Sequence, residues 1–171
     1  MFTIRPAILS DAEALPEIER SAGESFLDIP HLAWIAGDDV QSAERHRHLI
    51  QTGRAWVAED PLGRILGFVN GERLGQDFHV WEVSVRRGSQ GQGLGRALMN
   101  TAIEQARSQG LWAVTLTTFR EVAWNEPFYR SLGFVTLDEA SLTSRLAEVL
   151  EAEAGAGLIR ETRCAMSLTL A

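Results

Sequence analysis

The chain has 171 residues, 45% of them hydrophobic and 23% charged, with a formal net charge of −7. That length suits one folded domain over residues 1–171 with a sizeable core, and the negative balance argues against nucleic acid or an anionic membrane as partner. The single cysteine, Cys164, excludes an internal disulfide and a cysteine-based metal site. No apolar run reaches the roughly 18 residues of a membrane helix, and Met1 to Pro6 runs straight into strand-like sequence, so neither leader nor membrane is expected and the location is read as cytoplasmic.

Residues 2–5 alternate and predict a short strand stopped by Pro6. Ser10 is the expected cap of a helix over 11–22. Residues 23–37, holding Phe26, Ile29, Pro30, His31 and Trp34, are irregular and read either as a packed connection or as the wall of a pocket. A second helix is expected over 40–51, ending at Gly53. Residues 55–59 and 65–72 flank the turn Asp60-Pro61-Leu62-Gly63 and form an antiparallel hairpin. Residues 79–85 are a third strand, with Trp81, Val83 and Val85 on one face and Glu82 and Ser84 on the other. A helix follows over 94–109 with its stop at Gly110, then a strand over 114–117 parallel to 79–85. A short helix over 122–132, a strand over 134–137, an additional helix over 141–154 and a strand over 162–170 complete the chain. That order implies an α+β domain around a mixed, mainly antiparallel sheet.

The most informative stretch runs from Val83 to Leu98. An apolar strand passes into a loop holding Gly88, Gly91, Gly93 and Gly95, which opens a helix. Glycines let a ligand approach the backbone, and the unpaired N–H groups of a helix start attract an anion. Arg86, Arg87 and Arg96 add positive charge beside the loop. Two familiar phosphate loops fail here: counting on from Gly91 and Gly93, the dinucleotide fingerprint lands on Arg96, and the chain has no lysine for a P-loop.

Gln90, Gly93 and Gly95 stand where the acetyl-CoA signature Q/R-x-x-G-x-G/A of the GNAT superfamily of N-acetyltransferases has its specified residues, and the stretch resembles it. Tyr129-Arg130-Ser131-Leu132-Gly133-Phe134 resembles the family's Tyr-x-x-x-Gly-Phe close. The resemblance covers the sheet core over residues 54–137, and the two N-terminal helices by element order. It implies a GNAT-like twisted sheet flanked by helices and acetyl-CoA as donor substrate. The amides of Gln90, Gly91, Gln92, Gly93, Leu94, Gly95 and Arg96 would hold the pyrophosphate. The backbone of Val83, Ser84 and Val85 would pair with the pantetheine arm as an added strand. The strands 79–85 and 113–118 would splay apart at the thioester. Asn125 is a further cofactor contact, although it precedes Tyr129 by four residues where the family often has seven.

The resemblance makes Tyr129 the acid that protonates the departing thiolate, packing alone being the other reading. Glu82 is the best carboxylate for the base, with a structural role as its alternative; Glu72, Asp77 and His79 are weaker and read as surface residues. His46 and His48 read as solvent-facing, and no metal set is expected. The implied function is transfer of an acetyl group to a primary amine of a small molecule or peptide by direct attack. The alternatives are a CoA-binding regulatory or partner domain without turnover, and a transferase of longer acyl groups. The resemblance also admits a homodimer, and the helix over 141–154 would cover the acceptor, make a dimer contact or simply pack on the sheet.

Overall fold

The computed structural model describes residues 1–52 and 54–170; the helix stop expected at Gly53 lies outside the described residues. The chain runs through β1 (Thr3–Pro6), α1 (Leu15–Gly23), α2 (Ala43–Gln51), β2 (Ala55–Glu59), β3 (Ile65–Leu74), β4 (Asp77–Val85) and α3 (Leu94–Ser108). It continues through β5 (Ala113–Phe119), α4 (Glu126–Ser131), β6 (Val135–Thr136), α5 (Ser144–Gly155) and β7 (Arg163–Thr169). The strands form one sheet in the order β1-β2-β3-β4-β5-β7-β6. The β4–β5 pair is parallel, and the sheet is otherwise mainly antiparallel. This is the α+β, mixed-sheet class the element order predicts. Among the described residues no helix is long and apolar enough to cross a membrane.

Two compact units divide the chain: Met1–Glu72 with Val80–Gln105, and Arg73–His79 with the residues from Ala106 onward. In the first, Ala12, Leu15 and Ile18 pack with Ile50 of α2 and with Ala55, Val57 and Phe68 of the β2–β3 hairpin. α1 starts at Leu15 rather than at 11, with Pro16 in its first turn, where a missing N–H costs nothing. Upstream, Asp11 accepts from the Ile8 amide at 2.8 Å and pairs with Arg5 at 2.8 Å, so Asp11 rather than Ser10 closes that corner. The irregular residues after α1 form two 3-10 segments, Glu24–Asp28 and Pro30–Gly37.

Ser42 caps α2 by accepting from the Arg45 amide, which sets the start at Ala43. His46 is 1% exposed, correcting its expected solvent-facing position. The reason is periodicity: 46, 49 and 50 lie on one helical stripe, and Leu49 and Ile50 take the ring inward with them. Its ring meets Phe68 edge-on at 5.0 Å. His48, off that stripe, is exposed. Along β4 burial does not follow a strict two-residue alternation: Phe78, His79 and Val80 are buried in succession, and Glu82 is half-buried like its neighbours. Ser84 is buried with Phe78 and Val80, whereas Trp81, Val83 and Val85 are half-buried.

In the second unit β7 pairs along all of β5, from Ala113↔Thr169 to Phe119↔Arg163, and β6 adds at the edge through Val135↔Ser167 and Thr136↔Met166. The parallel register joins Asp77, Phe78 and His79 of β4 to Ala113, Val114 and Thr115. The additional helix, α5, lies on the sheet: Leu146 and Leu150 pack on Ala165, with Leu137 and Leu142 at the margin. Arg145 of α5 reaches Asp77 at 3.1 Å and His79 Nδ1 at 3.5 Å. His79 also meets Thr115 Oγ1 at 2.9 Å and is 1% exposed, a second correction to an expected surface residue. It faces the strand start that α5 covers.

Candidate active site

At the end of β4 the chain leaves the sheet through Arg86, whose amide donates to Leu66 O at 2.8 Å. Residues Arg87–Ser89 make one 3-10 turn. Gln90 then closes the loop on itself: its Nε2 donates to Val85 O at 3.0 Å and its Oε1 accepts from Ser25 Oγ at 2.9 Å. Gly91 and Gly93 take φ of 75° and 86°, a region that L side chains enter at a cost of about 1–2 kcal/mol. A Cβ at either glycine, or at Gly88, would meet nothing within 4 Å, so the outer side of the loop is open. α3 begins at once, its first N–H groups lacking intrahelical acceptors by geometry. Leu94 is 1% exposed and anchors the helix start in the core. What Leu94 can offer a ligand is its backbone.

The arginines beside the loop have other work. Arg86 pairs with Glu17 at 3.0 Å and donates to Ile65 O; Arg87 reaches Asp28 at 3.4 Å and Glu24 O at 3.2 Å. Arg96 is exposed on the first turn of α3. The loop is thus pinned to α1 and the segment after it by charge, while its glycines face outward.

Glu82 is half-buried on β4, and its Oε1 accepts from Ser84 Oγ at 2.8 Å. In the same unit stands a carboxylate that sequence reasoning passed over, Glu19 of α1. Burial, then the negative charge of Glu82, push its carboxyl up to about 8, against a hydrogen bond from the Gln41 amide and the charge of Arg20. A raised value of this kind marks a group able to exchange a proton near neutral pH. The weaker base candidates are engaged elsewhere: Glu72 holds Arg45 and accepts from Trp81 Nε1 at 3.1 Å, and Asp77 holds Arg145.

In the second unit α4 carries Tyr129. Pro127 sits in the first turn, and Gly133, at φ 99°, turns the chain so that Phe134 N donates back to Tyr129 O at 3.1 Å. Phe128 and Phe134 pack against the tyrosine ring at 5.1 and 5.9 Å, and Tyr129 is 7% exposed. That packing is the physical content of the Tyr-x-x-x-Gly-Phe spacing. Asn125 Oδ1 accepts from Thr118 Oγ1 at 2.8 Å, while its Nδ2 is buried with no partner, a donor left over at the end of β5.

The first unit therefore holds Glu82, Val83, Ser84, Val85 and the loop Gln90 to Arg96, and the second holds Asn125 and Tyr129. Missed by sequence were Glu19, Gln41 and Asn70, which form one hydrogen-bonded series in the first unit with His46, the ring expected to face solvent. Asn70, a polar residue that directly follows Phe68 and Val69 in β3, was the available signal.

Comparison with known proteins accords with this geometry. Residues 51–136 match the acetyltransferase (GNAT) domain family. A mycothiol acetyltransferase of Arthrobacter sp. (strain FB24) is 39% identical over 88 residues, covering 48% of this chain and 27% of that protein. A mycothiol acetyltransferase of Thermobifida fusca (strain YX) is 28% identical over 141 residues, covering 75% of this chain and 43% of that protein. The chain thus spans less than half the length of these curated relatives. The crystal structure of the PaiA N-acetyltransferase of Thermoplasma acidophilum in complex with coenzyme A superposes with a TM-score of 0.72, at 15% identity and over 99% of both chains, a likeness of fold. The chain belongs to the GNAT acetyltransferase domain family.

Proposed function

We propose that the chain is an acetyl-CoA-dependent N-acetyltransferase acting on a primary amine of a small molecule or peptide by direct attack. The observation that carries this reading is the loop between β4 and α3, open outward at Gly88, Gly91 and Gly93 and ending on a helix start. The residues present fit coenzyme A. The amides of Gln90 to Arg96 suit a pyrophosphate, the edge of Val83 to Val85 suits an extended amide arm, and Asn125 Nδ2 is a buried donor in want of an acceptor.

Bound acetyl-CoA supplies an activated thioester. The chain must take a proton from the acceptor's ammonium and give one to the thiolate that leaves. Glu82 is assigned the first task and Tyr129 the second. A backbone N–H of Val83 or Val85 is assigned to the developing charge on the carbonyl oxygen. No serine or cysteine is needed as nucleophile: Cys164 is buried, and burial raises its thiol to about 11, which leaves it inert.

Thiol release from acetyl-CoA with a panel of amines tests the reading, and the names of the matched relatives put mycothiol chemistry in that panel. At least one amine should turn over, with Tyr129→Phe lowering kcat by about 10²-fold. Tight CoA binding without turnover, and no effect of Tyr129→Phe, would leave a binding domain instead. A clear preference for longer acyl-CoAs would replace the acetyl assignment.

A further inference from the structure

The tyrosine assigned to the leaving thiolate stands on a helix too short to hold its own place. α4 spans only Glu126–Ser131, and no side chain caps it; isolated helices shorter than about 12 residues are marginal in water. Contacts beyond the helix must fix it. Asn125 ties its start to β5 through Thr118 Oγ1. Glu126, which neither sequence motif specifies, makes the second tether, and it is 5% exposed. Its Oε1 accepts from Thr136 Oγ1 at 2.7 Å and from Arg130 Nη2 at 2.9 Å, and its Oε2 accepts from the Glu121 amide at 3.3 Å.

Those donors come from different parts of the second unit. Thr136 belongs to β6, which is joined to β7 through Thr136↔Met166. The Glu126–Arg130 pair spans the turn of α4 that carries Tyr129. Glu121 lies in the connection from β5, and its φ of 61° is the only positive value at a non-glycine among the described residues. L side chains enter that region at a cost and stay there only where their surroundings hold them. One carboxylate thus joins the strained exit of β5, the edge strand and the helix turn. Withdrawing a carboxylate from water is an expensive way to dock a helix, and apolar side chains often dock one as firmly. What charge-assisted hydrogen bonds add is direction. Phe128 and Phe134 pack on the Tyr129 ring, but apolar burial is not directional.

We propose that Glu126 is a positioning residue for Tyr129, holding α4 so that the phenol stands where it protonates the leaving thiolate. This rests on the acetyltransferase reading above. Tyr129 gives its O–H proton to sulfur as the C–S bond breaks and the bonding pair leaves with the thiolate. The phenolate then takes back the proton that the newly acylated nitrogen sheds. Glu126 itself transfers no proton.

Tyr129 is the one tyrosine of the chain, so an isotope-labelled tyrosine ring gives NMR signals that report its setting directly. The test reads those signals, and kcat for the best amine of the panel, in Glu126→Ala, Glu126→Gln and Thr136→Val, each alone and combined with Tyr129→Phe. Glu126→Ala should shift or split the tyrosine signals and lower kcat about tenfold, with KM for the amine unchanged. Glu126→Gln keeps one oxygen for Thr136 and Arg130 and should bring kcat back to within about threefold of wild type. Thr136→Val removes one donor at the sheet edge and should lower kcat about two- to fivefold; it carries the test where Glu126→Ala does not fold. Beside Tyr129→Phe, each of these losses should shrink below about twofold, because a residue that acts through the phenol has nothing left to position. Losses that persist in full beside Tyr129→Phe overturn the proposal, and so do wild-type kcat and tyrosine signals in Glu126→Ala and Thr136→Val. If Tyr129→Phe alone lowers kcat, such results remove only the role of Glu126. An undiminished kcat in Tyr129→Phe removes the acid with its positioning residue, and thiol release with no amine at all removes the acetyltransferase reading as well.

Discussion

Gly67 offers a quantitative check on how the end of β4 is held. β3 passes so close there that an alanine Cβ would lie 2.8 Å from Ser84 O, 3.2 Å from Val85 Cγ2 and 3.3 Å from Val85 Cα. Ser84 O is a backbone atom and cannot rotate away. Ordinary contact begins at 3.4 Å, so the strands must part by about 0.6 Å, against the 2.8 Å hydrogen bond from Arg86 N to Leu66 O beside it. Overpacking of this kind costs about 1–3 kcal/mol, and each kcal/mol lowers Tm by about 2–4 °C in a chain of this size. Gly67→Ala should therefore melt about 2–12 °C below wild type. Because Ser84 and Val85 form the edge proposed for the pantetheine arm, its KM for acetyl-CoA should also rise severalfold. Gly37→Ala is the control, since a Cβ there meets nothing within 4 Å. Wild-type melting and KM in Gly67→Ala would refute the reasoning.

Two further outcomes are expected. Gly93→Ala places a side chain at φ 86° on the open side of the loop; it should cost about 1–2 kcal/mol and weaken CoA binding at least about tenfold in calorimetry, and wild-type affinity would remove the loop from the donor site. His46 and His79 are kept neutral by burial, with Arg45 and Arg145 adding to it, at about 4 and about 3. The unfolded chain takes up these protons near pH 6.5, so stability falls as pH drops from there to about 4 for His46 and about 3 for His79, each by up to about 1.4 kcal/mol per pH unit. Urea unfolding between pH 4.5 and 7.5 should show that slope reduced by one proton in His79→Gln; an equal slope would mean that the buried ring is not what titrates.

Element type and order were legible in the sequence because periodicity and turn residues report them directly. The motif around Gly93 and Gly95 and the Tyr129-to-Phe134 close were legible for the same local reason: each is a backbone requirement written in consecutive residues. Helix starts were less so. α1 begins at Leu15 with Pro16 in its first turn and no side-chain cap, whereas Ser42 fixes α2 by capping it, so a capping candidate such as Ser10 does not by itself mark a start. What could not be read was side-chain burial set by tertiary partners. His46 and His79 look like surface residues until Phe68 and α5 are placed over them. Glu19 looks like one more helix-surface carboxylate until β4 brings Glu82 to bear on it. Long-range neighbours decide such environments, and no local pattern encodes them.

The basic residues of the loop make the same point in the opposite sense. Arg86 and Arg87 stand in sequence where an anion site would use them, yet their guanidinium groups are turned to Glu17, Glu24 and Asp28. Side chains already neutralised by carboxylates contribute little field to a ligand. They fix the loop against α1 and the segment that follows it, and Gln90 does so a second time through Val85 O and Ser25. A loop held at both ends by its side chains leaves its amides oriented before any ligand arrives. That preorganisation lowers the ordering cost of binding, and it suits a pyrophosphate recognised by backbone N–H groups better than one recognised by mobile arginines. On this view the glycines supply access, the arginines supply rigidity, and the anion is left to the start of α3.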